Sequence, residues 1–128
     1  MGLQDGEQRM IRFGVSVPTG REGLMVPTGF ASRETIVDAG KRAEELGYYS
    51  VWGNDHITTP EYIMDVKPKP SFYEPLISLA AIAAVTEKVR LATGVLVLPW
   101  RTPALVILAK QLATLDVLSN GRMILGVG

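Results

Sequence analysis

The fold is decided by residues 90–128, which read RLATGVLVLPWRTPALVILAKQLATLDVLSNGRMILGVG. The nearly unbroken apolar run over 90–98 is typical of a parallel strand that is covered on both faces. A Thr-Pro pair then suits a helix start, and residues 104–118 are predicted to form that helix. The helix is closed by Ser-Asn-Gly, and a further strand is predicted over 122–128. The stretch therefore predicts one β-α-β unit.

The same alternation extends toward the amino terminus, with no hairpin signal between the elements. A β-α-β-α-β-α-β order calls for right-handed crossovers and a parallel sheet with outer helices. The loop between the second strand and second helix is long, as binding loops and lids often are. The predicted elements are strand 11–18, helix 33–46, strand 48–52, loop 57–73 and helix 76–85, the last opened by Glu74 and Pro75.

Two parallel architectures fit this order, the doubly wound sheet and the eight-stranded barrel. A dinucleotide-binding sheet carries G-x-G-x-x-G after its first strand, whereas residues 18–23 here read PTGREG. The GVG at 126–128 is only half of such a fingerprint, and glycines that permit close packing inside a strand are its more common explanation. The pattern favours the barrel and leaves the doubly wound sheet open.

Composition limits the classes of function. The 128 residues predict a flexible leader over 1–10 and one domain over 11–128. Thirteen basic and thirteen acidic residues cancel, which argues against nucleic acid or an anionic membrane as the main partner. No cysteine and a single histidine argue against a thiolate or multi-histidine metal site, so no metal is expected. The start is polar and no apolar run reaches about 18 residues, so we expect a cytoplasmic protein.

Two stretches carry a resemblance to a known family. Residues 43–56, AEELGYYSVWGNDH, and residues 73–128 together resemble the bacterial luciferase-like monooxygenase family. Within it the chain is most similar to the oxidoreductases that depend on coenzyme F420, a deazaflavin, with enzymes that use FMN close by. The resemblance implies an α/β fold of the TIM (β/α)8-barrel type, present here as its first, amino-terminal half, with the cofactor at the carboxyl-terminal mouth.

The resemblance also implies site residues. Asp55 and His56 match the acidic-histidine pair that lies over the cofactor ring, and Gly94 and Val95 match the third-strand segment behind the ring, where a non-proline cis bond would join them. We expect His56 to be the catalytic acid–base group, because only histidine titrates near neutrality without perturbation. Asp55, His56, Gly94 and Val95 are the expected cofactor-binding residues. From the residues alone, a loop-capping or surface role is the more common one for such a histidine, and Asp55 fits a turn residue that accepts backbone hydrogen bonds.

Several apolar side chains have two interpretations. Trp52 and Trp100 could line a substrate pocket or belong to the core or its rim. Tyr62, Met64 and Phe72 in the long loop could form a lid or simply pack the loop.

The expected function is therefore an oxidoreductase or monooxygenase that acts on a small organic substrate, with coenzyme F420 favoured over FMN. A complete barrel of this kind needs about 250 residues, so a truncated, non-catalytic half-barrel that self-associates is the alternative. Because half a barrel exposes sheet edges and its interior, we expect a homo-oligomer.

Overall fold

The computed structural model of the chain describes residues 11–57 and 60–128, so the predicted leader over 1–10 lies outside the described residues. Strands and helices alternate along the chain. They are β1 (Gly14–Ser16), α1 (Arg33–Glu45), β2 (Ser50–Gly53), α2 (Pro75–Ala83), β3 (Arg90–Thr93), α3 (Leu98–Arg101), α4 (Leu105–Leu118) and β4 (Met123–Ile124), with 3-10 turns at Glu61–Ile63 and Thr102–Ala104. Within these ranges, no helix has the length and apolar character that crossing a membrane requires.

The four strands form one parallel sheet in the order β1-β2-β3-β4. Val15 pairs with Val51, Val51 with Leu91 and Leu91 with Met123, so these side chains share one face of the sheet, here called the helix face. They pack with α1, α2 and α4 in a single core. A sequential strand order with these helices on one face is the arrangement of a (β/α) barrel, whereas a doubly wound sheet covers both faces. The opposite face is here called the inner face.

Helix α1 follows its sequence signals closely. Ser32 is the N-cap: its hydroxyl accepts from Thr35 N (3.2 Å), and the Thr35 hydroxyl accepts from Ser32 N (2.8 Å). A Cβ on Gly40 would overlap Ile82, so glycine permits the close crossing of α1 and α2. The spacing of Leu46 from Gly40 and Ala43 predicts that it shares their buried face, but Leu46 is 59% exposed because it is the C-cap, where the chain leaves the helix.

Helix α2 also begins where predicted, with Glu74 as N-cap accepting from Ile77 N (2.7 Å) and Pro75 in the first turn. The almost entirely apolar sequence of this helix predicts burial on more than one side, and α2 does pack against the sheet, α1 and α4. Leu79 and Ile82 are fully buried against the sheet, but Ile77 is 71% exposed.

The predicted strand over 90–98 is too long, since β3 ends at Thr93. The next bond, Gly94–Val95, is a cis peptide, as the resemblance implies. The apolar run is then divided: Leu96 is buried and bridges to Val127, whereas Val95 is 43% exposed, and α3 begins at Leu98. A run of apolar residues indicates that the segment is buried, but not whether its backbone stays extended. The pattern therefore could not locate the end of this strand.

The amino-terminal edge of the sheet, here called the base, is held by a buried arginine. Arg122, 8% exposed, precedes β4 and donates only to neutral oxygens. The acceptors are the Ser119, Val89, Ala83 and Thr86 carbonyls and the Thr86 hydroxyl, at 2.6–3.0 Å. Several of these carbonyls lie at the carboxyl-terminal ends of α2 and α4. The positive charge of Arg122 therefore also interacts favourably with the negative ends of both helix dipoles.

A carboxylate completes the base. Glu44 on α1 accepts backbone N–H bonds from Glu87, Lys88 and Val89, the residues that lead into β3. Burial of the Glu44 carboxyl acts to raise its pKa, but these N–H donors, together with the charge of Arg122, lower the pKa below its usual value. The base is therefore a set of charges that is satisfied mainly by backbone groups.

Candidate functional site

The carboxyl-terminal edge of the sheet, here called the mouth, is formed by the segments that follow β1, β2 and β3. Tyr73 N donates to Thr19 O (2.7 Å), and the Thr19 hydroxyl accepts from Asn54 N (2.9 Å). Asn54 Nδ2 in turn donates to Gly94 O (3.2 Å). These bonds bring the turn after β2 to the segment after β3, which is where the sequence places the candidate site.

Trp52 covers the inner face directly below the mouth. Its indole Nε1 donates to the Ser50 hydroxyl (2.8 Å). A Cβ on Gly94 would lie 2.8 Å from Trp52 Cε3, and a Cβ on Gly14 would overlap the other end of the indole. The ring thus spans β1 to β3 between two glycines and remains half-buried, which makes it the floor of any ligand site at the mouth.

His56 lies at the mouth immediately after β2, half-buried against an aromatic ring. Its centroid is 5.4 Å from that of Phe72, with the ring planes at 51°. A Cβ on Gly20 would be 2.9 Å from His56 Cδ2, so the imidazole rests on glycine backbone. Among the described hydrogen bonds none involves a His56 ring nitrogen, so the imidazole is positioned by packing and its nitrogens can serve a ligand.

Asp55 is directed away from the inner face into an ion pair that the sequence did not predict. Its side chain is 3% exposed, and its Oδ1 and Oδ2 accept from Arg101 Nη2 (2.8 Å) and Nε (3.0 Å). Oδ2 also accepts from Val97 N (3.0 Å). This two-point geometry is the strongest form of arginine–carboxylate pairing, and it ties α3 and the segment after β3 to the end of β2.

Arg101 also reaches Glu74, the N-cap of α2, at 3.0 Å. Its hydrogen bond to Asp55 raises the pKa of the guanidinium, against the opposing effect of burial, and the bond to Glu74 adds to the rise. We call Asp55, Arg101 and Glu74 the mouth clamp. An arginine after an apolar run reads in sequence as a solvated charge, and its partners are 46 and 27 positions away, so no local signal reveals the clamp.

Val95 presents an apolar side chain at the mouth, backed by the residues that follow β4. A Cβ on Gly128 would lie 2.9 Å from Val95 Cγ2, and a Cβ on Gly126 would overlap Thr93 O. The Thr93 hydroxyl both donates to Gly126 O (2.8 Å) and accepts from Gly126 N (2.9 Å). The GVG glycines therefore serve close packing, the structural interpretation of that motif.

Glu22 is a buried charge near the mouth whose structural role the sequence did not indicate. The carboxylate has no exposed surface and accepts from Ala31 N (2.6 Å) and Ser71 N (2.7 Å), so it joins the loop after β1 to the loop after β2. Burial acts to raise the pKa of Glu22, but backbone donors including Ser71 and Ala31 outweigh it and hold the pKa below its usual value. Both loops border the mouth.

The remaining aromatic and lid candidates divide between site and surface. Phe72 packs on His56. Tyr62 is 75% exposed and Met64 is 53% exposed, and Trp100 on α3 is half exposed. Of this group, only Phe72 and Trp52 are placed where they would meet a ligand at the mouth.

The mouth has the components that a flat tricyclic ring requires. Trp52 supplies a floor, Val95 an apolar side, and His56 with Phe72 an aromatic side that includes the two imidazole nitrogens. Such a site, mostly apolar with a few placed polar groups, is typical of small-molecule and cofactor pockets. The residues present thus fit a flavin or deazaflavin ring.

Comparison with known proteins establishes the class. A family model described as luciferase-like monooxygenase matches residues 11–128. The chain therefore belongs to the luciferase-like monooxygenase family.

Individual relatives agree with this assignment. An F420-dependent glucose-6-phosphate dehydrogenase from Amycolatopsis mediterranei is 38% identical over 94 residues, which cover 73% of this chain and 26% of the relative. Among solved structures, the monooxygenase RslO1 from Streptomyces bottropensis is 31% identical with a TM-score of 0.69, over 92% of this chain and 33% of that one. The coenzyme F420 dependent tetrahydromethanopterin reductase from Methanopyrus kandleri is 28% identical with a TM-score of 0.66, over 92% and 27%. The chain thus spans about a quarter to a third of these relatives.

Proposed function

We propose that this protein is an oxidoreductase that holds coenzyme F420 at the mouth and acts on a small organic substrate. Two relatives support the cofactor class, since the Amycolatopsis dehydrogenase and the Methanopyrus reductase are both described as dependent on F420. FMN is the alternative cofactor, because enzymes that use FMN stand close to the F420-dependent enzymes that the chain resembles.

The observation that carries the proposal is the meeting of the β2 and β3 ends. Asn54 Nδ2 donates to Gly94 O, and Asp55 Oδ2 accepts from Val97 N. These two contacts fix His56 and the Gly94–Val95 segment at the same edge of adjacent strands. In parallel barrels this edge is where chemistry occurs.

Each residue then has a definable task. A bound deazaflavin supplies hydride transfer, and the protein supplies orientation and proton management. His56 holds or moves a proton at a ring nitrogen, a task to which an imidazole is chemically suited. Val95 covers one side of the site and reduces access of water. The mouth clamp keeps the turn that carries His56 in place.

Cofactor titration tests the proposal. The protein is titrated with oxidised coenzyme F420 and, separately, with FMN, and binding is followed by cofactor fluorescence. We expect saturable binding of both, with a lower Kd for coenzyme F420. If the protein bound neither cofactor, the proposal would be refuted. A lower Kd for FMN would identify FMN, and not coenzyme F420, as the cofactor.

A self-associating, non-catalytic module is the second candidate. Helix α4 favours it, since Val106, Val117 and Leu118 are 85%, 79% and 66% exposed, and apolar patches of this kind mark association sites. Sedimentation velocity distinguishes the candidates. A stable homo-oligomer that binds neither cofactor supports the module, whereas a cofactor-binding species of any size excludes it.

A further inference from the structure

Arg21 lies at the mouth, in the loop after β1, and the proposed function leaves it unused. It directly follows Gly20, on whose backbone His56 rests. Its Nη2 donates to the hydroxyl of Ser16 (3.1 Å). Because Val15 and Val17 belong to the helix-face core, Ser16 between them points to the inner face, where its register partner is Trp52. The half-buried guanidinium is therefore placed beside the floor of the site.

Within the part of the chain that the structure describes, every partner of this guanidinium is electrically neutral. Besides Ser16, it donates only to the thioether of Met25 (3.3 Å), which is a weak acceptor. Its Nε is buried and has no partner. None of the three ion pairs formed within residues 11–57 and 60–128 includes Arg21.

The nearest carboxylate in sequence is already committed elsewhere. Glu22 accepts from Ala31 N and Ser71 N and is fully buried. Arg101 lies at the same edge of the sheet and differs from Arg21, because two carboxylates neutralise its charge. Removing a guanidinium from water without a counter-charge is costly, and an anion that enters the mouth would offset that cost.

We infer that Arg21 binds an anionic group, a carboxylate or phosphate, of the ligand that occupies the mouth. A guanidinium pairs with either group through two parallel hydrogen bonds, which gives orientation as well as affinity. The inference deepens the proposed function, on which it rests for the placement of the ligand. The anionic group belongs either to the substrate or to the cofactor, and the two sources have different experimental consequences.

The first experiment needs no cofactor. Inorganic phosphate is added to the protein at constant ionic strength, with chloride as the reference anion, and Tm is measured. We expect phosphate to raise Tm of the unmodified protein, and the rise to disappear in Arg21→Met and to persist in part in Arg21→Lys. Arg33→Met, which removes the same charge from the exposed start of α1, is the matched control and should keep the full rise.

The second experiment identifies the source of the anion. If it belongs to the cofactor, Arg21→Met weakens coenzyme F420 binding about tenfold or more, the loss expected for a charge-assisted hydrogen bond, whereas Arg33→Met does not. If it belongs to the substrate, the Kd for coenzyme F420 is unchanged, and adding phosphate perturbs the fluorescence of the bound cofactor in the unmodified protein but not in Arg21→Met.

The outcomes separate this inference from the proposed function. Equal phosphate effects on Tm in Arg21→Met and in the unmodified protein, with an unchanged Kd, would overturn the inference alone. A protein that binds neither cofactor but shows the Arg21-dependent rise in Tm would overturn the proposed function and leave the anion site in place.

Discussion

The base and the mouth of the sheet use charged residues in opposite ways. At the base, Arg122 and Glu44 are satisfied by backbone carbonyl and N–H groups, respectively. At the mouth, Asp55 and Arg101 are satisfied by each other, while His56 and Arg21 keep unused hydrogen-bonding capacity. Charges that are bound to backbone can serve only the fold, whereas partly satisfied groups at the other edge can serve a ligand. The division follows that of parallel barrels, in which stability resides at one end and chemistry at the other.

Replacing Arg122 tests the base most severely. Arg122→Met leaves several buried carbonyls without their donor, so we expect the free energy of unfolding to fall by about 3–5 kcal/mol. The midpoint of urea denaturation measures it. Arg42→Met, which removes only the exposed pair with Glu45, is the control and should change stability by less than about 0.5 kcal/mol. Similar midpoints for the two variants would contradict the structural role of the base.

Breaking the mouth clamp should affect both stability and binding. Arg101→Met leaves the buried Asp55 carboxylate with only Val97 N as donor, and we expect a loss of about 2–4 kcal/mol. If the clamp positions the turn that carries His56, cofactor Kd also rises, and Arg101→Lys restores part of both properties. Loss of stability with an unchanged Kd, measured at a temperature where the variant is fully folded, would restrict the clamp to a structural role.

Glu22 gives the mouth a defined pH dependence. Its folded-state pKa is depressed, so its stabilising contribution is fully present above the unfolded value of roughly 4.3 and is lost as pH falls through the folded value. Glu22→Gln should therefore destabilise by about 1.5–3 kcal/mol at pH 7, with a smaller difference from the unmodified protein below about pH 4. Urea midpoints at pH 7 and pH 3.5 provide the comparison. A difference that is constant with pH would show that the ionised carboxylate is not what joins the loops.

Replacing His56 should have the smallest effect on stability and a large effect on turnover. Because the imidazole is half-buried and held by packing on Phe72, His56→Gln should change stability by less than about 1 kcal/mol. Under the proposed function, it lowers kcat by about 10²–10⁴ and also raises the cofactor Kd, because the imidazole forms one side of the cofactor site. Steady-state kinetics and cofactor titration check this, and an unchanged kcat would exclude His56 as the acid–base group.

The fold was predictable because its signals are local. Glu74 caps its helix as predicted, and Ser32, directly before the helix predicted over 33–46, caps that one. Gly47, directly after that helix, has a positive φ of 77°, which is typical of a glycine at a helix end. The strand ends were less predictable. The apolar run beyond Thr93 does not show where pairing between the strands stops. The close packing at Gly126 depends on Thr93, which lies 33 positions earlier in the sequence.

The site was predictable only in part, and for a physical reason. The resemblance placed Asp55, His56, Gly94 and Val95, and the structure brings all four to one edge. It gave no indication of Arg101, Glu22 or Arg21, whose importance depends on partners distant in sequence or on the absence of a counter-charge. Distant partners and a missing counter-charge are properties of the folded structure, and neither produces a periodic pattern in the sequence.

The buried Glu22 carboxylate has a practical consequence for engineering. Since it bonds to Ala31 N in one loop and Ser71 N in the other, the two loops cannot be exchanged separately without stranding a charge. Loop grafting or directed evolution aimed at new specificity would succeed more often with libraries that transplant residues 19–31 and 60–73 as one cassette.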